Sequence, residues 1–209
     1  MNNSKSSTKI AQYLLETGAV KFNPEDPFIW ASGIESPIYC DNRVLLSYPN
    51  IREAIIDDFV SRIKESYPSV EAIAGVATAG IAHGVLIASR MELPFAYVRP
   101  EPKKHGMKNQ IEGKLLPQSK VVVIEDLIST GMSSLKAVKA LRESDVEVLG
   151  LASIFTYGFK KSQNAFRESS CDFFTLAVLN DLLEAALEMN YLNEAQVEKT
   201  KTMLMVVDN

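Results

Sequence analysis

Val121-Val-Val-Ile-Glu-Asp-Leu-Ile-Ser-Thr-Gly-Met-Ser-Ser134 decides how this chain is read. Four β-prone apolar residues predict a buried parallel strand. Glu125 and Asp126 stand where that strand is expected to emerge. Ser129, Thr130, Gly131 and Ser133 form a small hydroxylated turn, and Leu135, Val138 and Leu141 begin a helical spacing. Backbone N–H groups of such a turn, together with a helix N-terminus, favour a phosphate. The two acids accept hydrogen bonds from sugar hydroxyls. The expected ligand is a sugar phosphate. A plainer reading competes, in which Asp126, Ser129 or Thr130 caps the helix near Ser133 and Glu125 is simply solvated. Capping, however, does not call for two acids followed by a Thr-Gly turn.

Outward from this run the pattern alternates. Residues 8–17 predict a short amphipathic helix, and Phe28–Tyr39 reads as two β-like runs around a Ser-Gly turn, a hairpin. Ile51, Ile55, Phe59 and Ile63 repeat every four residues and predict a helix over 49–66, closed by Pro68. Strand-like 70–76, helix-like 81–89 and strand-like 95–99 follow. The segment from Pro100 to Pro117 is polar and aperiodic. After the opening strand come a helix to about Arg142, a strand over 146–155, a polar helix near 163–168 and a strand over 172–178. Helices over 181–188 and 194–203 close the chain. Strands separated by helices imply βαβ crossovers and a mainly parallel sheet, whose ligands bind beyond the carboxyl ends of strands.

Two further stretches carry chemistry. Gly75-Val-Ala-Thr-Ala-Gly80 has the glycine spacing of a Walker A loop but continues Ile81-Ala82, without the lysine, and no GxGxxG fingerprint is present. Nucleotide-triphosphate and dinucleotide readings both fall. The stretch still suits a compact anion-binding turn; equally, its glycines mark a tight strand-to-helix junction, and Thr78 a helix cap. Arg99-Pro-Glu-Pro-Lys-Lys-His-Gly-Met-Lys108 gathers five basic side chains in ten residues with two prolines and a glycine, so it predicts a loop rather than a helix or strand. A solvated charge run is the plainer account, but this loop leaves a predicted parallel strand at the ligand edge. His83, inside an apolar helical pattern, reads as a core residue.

Composition bounds the rest. The chain has 209 residues, 46% hydrophobic and 23% charged, enough for one α/β domain with appendages. A net charge of −4 argues against a nucleic-acid partner. No apolar run suggests a membrane span, and the N-terminus carries no signal-peptide core, so a cytoplasmic protein is expected. Cys40 and Cys171 show no metal-ligand spacing, and two reduced thiols are expected. No metal site built from side chains is expected.

The acid-acid strand end Val122–Gly131 resembles the 5-phosphoribosyl 1-diphosphate (PRPP) motif of the type I phosphoribosyltransferases. Ser32-Gly-Ile-Glu-Ser-Pro-Ile-Tyr-Cys-Asp-Asn-Arg43, Tyr97–Gly106 and Asn109-Gln-Ile-Glu-Gly113 resemble the orotate branch of that family. The likeness runs from about Gln12 to Tyr157. It implies a mainly parallel α/β sheet flanked by helices, in one domain over 1–209. Residues of about 1–48 would be an N-terminal helix and hairpin hood, and about 49–209 the core with C-terminal helices. It also implies a magnesium-dependent transfer of phosphoribosyl from PRPP to N1 of orotate, the magnesium held mainly through PRPP. By resemblance, Glu125 and Asp126 hold the ribose hydroxyls, and PRPP lies along Leu127, Ile128, Ser129, Thr130, Gly131, Met132 and Ser133. Thr78, Ala79 and Gly80 would line its diphosphate, as would Arg99, Lys103, Lys104 and His105. Lys103 and Asp126 would be catalytic. Ser129, Tyr39 and Arg43 would face orotate. The Arg99–Lys108 loop would be shared between the subunits of a homodimer.

Some contacts do not carry over. Another branch has lysines where this chain has Ala31 and Ala79, and an orotate-contacting arginine near Tyr157. Arg43 is taken as the cation for the orotate carboxylate because it lies close to Tyr39 in sequence. Two alternatives remain open: transfer to a purine or other base, and a PRPP-sensing regulator, which would need a nucleic-acid-binding face.

Overall fold

The computed structural model describes residues 2–30, 33–101 and 110–208, with side chains from residue 6 onward. Helix α1 spans Asn2–Glu16. Short strands β1 (Val20–Phe22), β2 (Phe28–Ile29), β3 (Glu35–Ser36) and β4 (Ile38–Cys40) lead to a 3-10 helix, Asn42–Ser47, and to α2, Pro49–Ser66. The alternating part follows: β5 (Ala72–Val76), α3 (Ala79–Met91), β6 (Phe95–Val98), β7 (Ile111–Glu112), β8 (Lys120–Ile128), α4 (Met132–Glu143), β9 (Glu147–Thr156), α5 (Lys160–Glu168) and β10 (Phe173–Val178). Helices α6 (Leu179–Glu188) and α7 (Glu194–Asp208) complete the described chain.

Six strands form one sheet in the order β10-β9-β8-β5-β6-β7. All neighbours pair in parallel except β6 and β7. From β5 the chain crosses through α3 to β6 on one side, then returns to β8 on the other. The strand order reverses between β5 and β8, and at such a switch point the flanking loops part and leave a crevice.

The apolar run that opens β8 is buried on both sides because successive side chains point to opposite faces. Val122 and Ile124 pack with α1, α2, α3 and α6, alongside Ile10, Leu14, Phe59 and Leu182. Val121 and Val123 face the opposite way, against Ala137, Val138 and Leu141 of α4 and Phe166 of α5. Among the described residues no helix is long and apolar enough to cross a membrane.

Five expectations are corrected here. The opening strand does not stop at its acids but runs on to Ile128. It stays paired with β9 as far as Ile128↔Thr156, whereas its partner β5 ends opposite Ile124. The acids therefore lie in a strand whose other edge has become free. The predicted hairpin is split: Phe28–Ile29 pairs with Glu35–Ser36, but Ile38–Cys40 leaves to pair antiparallel with Val20–Phe22, a strand too short for the sequence to betray. Helix α3 begins at Ala79, two residues early, and α7 runs past 203 to Asp208. The aperiodic segment holds the two-residue strand β7, formed because β6 offers it an open edge.

Candidate active site

Two turns meet at the switch point. The first leaves β5. A Cβ on Gly75 would come within 2.7 Å of the Gly80 carbonyl oxygen, and one on Gly80 within 2.4 Å of the Ile124 carbonyl oxygen and 3.5 Å of the Glu125 Cα. The junction reading of these glycines holds, since without side chains α3 starts directly beneath β8. The same closeness puts the backbone of Thr78, Ala79 and Gly80 beside the acids. Thr78 occupies the cap position of α3 but its side chain makes no capping hydrogen bond.

The second turn leaves β8. Its end is tied to β9 by the Thr156 hydroxyl, which donates to the Ile128 carbonyl at 3.1 Å. Ser129 and Thr130 follow, and Gly131 adopts a left-handed φ of 78° at the cap of α4. A Cβ there would meet Phe166 Cε2 at 2.7 Å, so glycine is required twice over. No side chain caps α4. The capping alternative is thus not realised, and the first-turn N–H groups of Met132, Ser133 and Ser134 have no intrahelical acceptor. The turn's serines point back instead: Ser134 Oγ donates to Glu125 Oε2 at 3.1 Å, and Ser133 Oγ lies 3.5 Å from the same oxygen.

Glu125 is only 5% exposed, on the face of β8 that α4 covers. Burial first, then the negative charge of Asp126, pushes its carboxyl well above the ordinary range. Asp126 is also raised by burial, but less, because hydrogen bonds from Glu125 and from backbone N–H groups favour its charged form. Of the two, Glu125 keeps a proton to higher pH.

The hood segment stands over this strand end. Tyr39 is 41% exposed, its ring 5.7 Å from that of Phe28. The Arg43 guanidinium is paired with Asp41 through contacts of 2.6 and 2.9 Å, and it acts electrostatically on Asp126 and Tyr39. Asn42, between them and wholly buried, donates from Nδ2 to the Asp126 carbonyl at 2.7 Å. Tyr157 is buried, stacked on Phe159 and tilted against Trp30, ring centroids 5.2 Å apart in each case. It supplies aromatic support for the hood and no cation.

Arg99 closes β6. Its N–H donates to the Gln110 carbonyl, the Gln110 amide donates back to the Arg99 carbonyl at 2.8 Å, and its guanidinium lies 3.4 Å from Glu112. Lys103, Lys104, His105 and Lys108 lie outside the described residues. Sequence reasoning passed over Ser134, Thr156 and Asn42. Ser134 was legible as the residue one helical turn's start beyond the acids; nothing local marks the other two.

Comparison with known proteins identifies this arrangement. The family model described as "Phosphoribosyl transferase domain" matches residues 46–189. An orotate phosphoribosyltransferase of Cytophaga hutchinsonii is 51% identical over 190 residues, 91% of each chain. The chain belongs to the orotate phosphoribosyltransferase family. A second orotate phosphoribosyltransferase, from Listeria innocua, is 49% identical over 92% of each chain. The crystal structure of orotate phosphoribosyltransferase from Aeropyrum pernix superimposes with a TM-score of 0.76 at 28% identity, covering 88% of this chain and 99% of that one. The phosphoribosyl transferase match takes in both turns and both acids, and the hood strands precede it.

Proposed function

We propose that this protein transfers the 5-phosphoribosyl group from PRPP to N1 of orotate, giving orotidine 5′-monophosphate and pyrophosphate for pyrimidine synthesis. One observation carries the reading: two anion-accepting turns, Thr78–Gly80 and Ser129–Ser133, flank a single acid pair across the β5/β8 crevice. A ribose bearing a 5′-phosphate at one end and a diphosphate at C1 has that same order of charge. The bond from C1 to the diphosphate oxygen breaks as the bond to N1 forms, and N1 sheds its proton. Positive charge develops on the ribose, where Asp126 and Glu125 offset it.

Backbone N–H groups of α4 and its turn hold the 5′-phosphate, with Leu127, Ile128 and Met132 completing the wall. Arg99, Lys103, Lys104 and His105 receive the departing pyrophosphate. Tyr39 lies along the base, Ser129 hydrogen-bonds it, and Arg43 faces its carboxylate. Magnesium prefers hard oxygen donors and would be held mainly through the diphosphate that PRPP brings to this site. Bound there it would neutralise diphosphate oxygens as the leaving group gains charge. We assign the chain to one cytoplasmic domain of a homodimer whose Arg99–Lys108 loops cross between subunits.

The test is direct. Protein, PRPP, magnesium and orotate are mixed and the orotate absorbance followed. Its loss, with stoichiometric pyrophosphate, is expected. A flat trace with orotate alongside turnover of adenine or hypoxanthine would replace the base and keep the phosphoribosyl chemistry.

A further inference from the structure

Asn42 is fully buried, yet it belongs to neither the diphosphate turn nor the acid strand. Its amide has only one orientation that satisfies both ends. The Asp126 carbonyl can only accept, so Nδ2 must face it, at 2.7 Å. Oδ1 then accepts from the Cys40 thiol at 3.4 Å. That thiol is held as a neutral S–H donor, since burial and the nearby Asp126 and Asp41 charges push its ionisation up.

Behind Asn42 stands His83 of α3, also fully buried. Its ring nitrogens make no well-formed hydrogen bond, and the Asn42 backbone is the polar group that approaches them. Three parts of the site therefore converge on one residue, β8 on its side chain and α3 on its backbone. The hood segment carries Asn42 between Tyr39 and Arg43; β8 presents the carbonyl of the acid that faces the ribose; α3 starts at the diphosphate turn, four residues before His83.

We propose that Asn42 is a positioning residue that locks the base-facing segment Tyr39–Arg43 to the acid end of β8. Base and ribose are thereby held in one register for in-line displacement. The inference rests on the orotate reading and adds to it the element that sets the base against C1. A near-attack geometry is sensitive to displacements of about 1 Å. The hood's remaining contacts here are apolar, Ile38 and Leu45 buried in the core and Trp30 tilted against Tyr157, and such packing fixes a distance but not a register.

Asn42→Leu keeps the volume and removes the donor. Thr175→Val, which deletes a half-buried hydroxyl bond on the edge strand β10, is the control for lost stability. Each is assayed at a temperature where it is fully folded, with separate KM values for orotate and PRPP. For Asn42→Leu, kcat/KM for orotate is expected to fall about tenfold or more while KM for PRPP moves less than about threefold. Thr175→Val should change neither. Should the leucine variant not fold, Asn42→Ala removes the same donor with less bulk and carries the same expectation. If the Asn42 variants melt lower but keep both constants, or if the two KM values rise together, the positioning role is overturned. A wild-type protein inactive toward orotate but active toward another base would instead sink the orotate reading, and this inference with it.

Discussion

The Ser134 hydroxyl donates to the Glu125 carboxyl at 3.1 Å, joining the first turn of α4 to the strand it follows. Glu125 is buried and its carboxyl is held well above the ordinary range, chiefly by desolvation. An acid raised on folding contributes stability that is full below its unfolded pKa and is lost as pH climbs through the folded one. Glu125→Gln mimics the protonated acid. The ligand-free variant should match wild type in mild acid and melt higher in mild alkali, by roughly 3 °C for each kcal/mol relieved. The same variant should bind PRPP about tenfold more weakly or worse, because an oxygen that accepts from the ribose hydroxyls is replaced by a donor amide. Melting curves across pH, with and without PRPP and magnesium, check both halves.

Gly80 lies so close under β8 that a Cβ would press on the Ile124 carbonyl at 2.4 Å. That neighbour is backbone in the middle of a sheet and cannot swing aside. Gly80→Ala should push the start of α3 from the strand, lowering stability by about 1–3 kcal/mol and raising KM for PRPP more than KM for orotate. Denaturant titration and steady-state kinetics measure the two effects. A variant with wild-type PRPP affinity would remove the Thr78–Gly80 turn from the diphosphate site.

His83 is held down from 6.5 to about 4, first by burial, with only weak opposition from the Asn42 backbone. A histidine lowered on folding contributes stability that is full above its unfolded pKa and is lost as pH falls through the folded one. The window is therefore 6.5 down to about 4. At 1.36 kcal/mol per pKa unit, that gap corresponds to roughly 3 kcal/mol. His83→Leu, which cannot titrate, should flatten the acid limb of the stability curve over that window. An unchanged limb would mean that His83 is accessible to protons in the native state.

Lys103→Ala should lower kcat by about a hundredfold or more, the usual loss when one donor to developing charge is removed. Melting temperature is expected to stay within a degree or so, which separates lost turnover from lost folding. Pre-steady-state mixing with orotate and PRPP separates chemistry from product release. Full activity in this variant would exclude Lys103 from the pyrophosphate side.

Much of this architecture was legible in spacing. Ile51, Ile55, Phe59 and Ile63 announced α2, and Val121 to Ile124 announced a strand buried on both faces, because periodicity is a local consequence of backbone geometry. The glycines at 75, 80 and 131 marked turns for the same reason. What spacing misjudged was extent. The strand ran three residues past Glu125 because β9 was long enough to pair with it, a fact held in another part of the chain. The hairpin split because Val20–Phe22 offered Ile38–Cys40 a better edge than Phe28–Ile29 did. Arg43 was singled out for its nearness to Tyr39, but its partnership with Asp41 emerged only from the folded backbone.

The sequence by itself determined the chemistry on offer: an acid pair following an apolar run, two small-residue turns and a cationic stretch, each encoded within about ten consecutive residues. Only the tertiary structure decided how the acid pair and the two turns lie together. The reversal of strand order set the two turns side by side, the free edge of β8 left Glu125 to α4, and Asn42 reached Asp126 across 84 positions. Short-range pattern reflects backbone hydrogen bonding and side-chain periodicity, which neighbours in sequence fix. Convergence depends on crossovers and packing, whose partners are far apart in the chain.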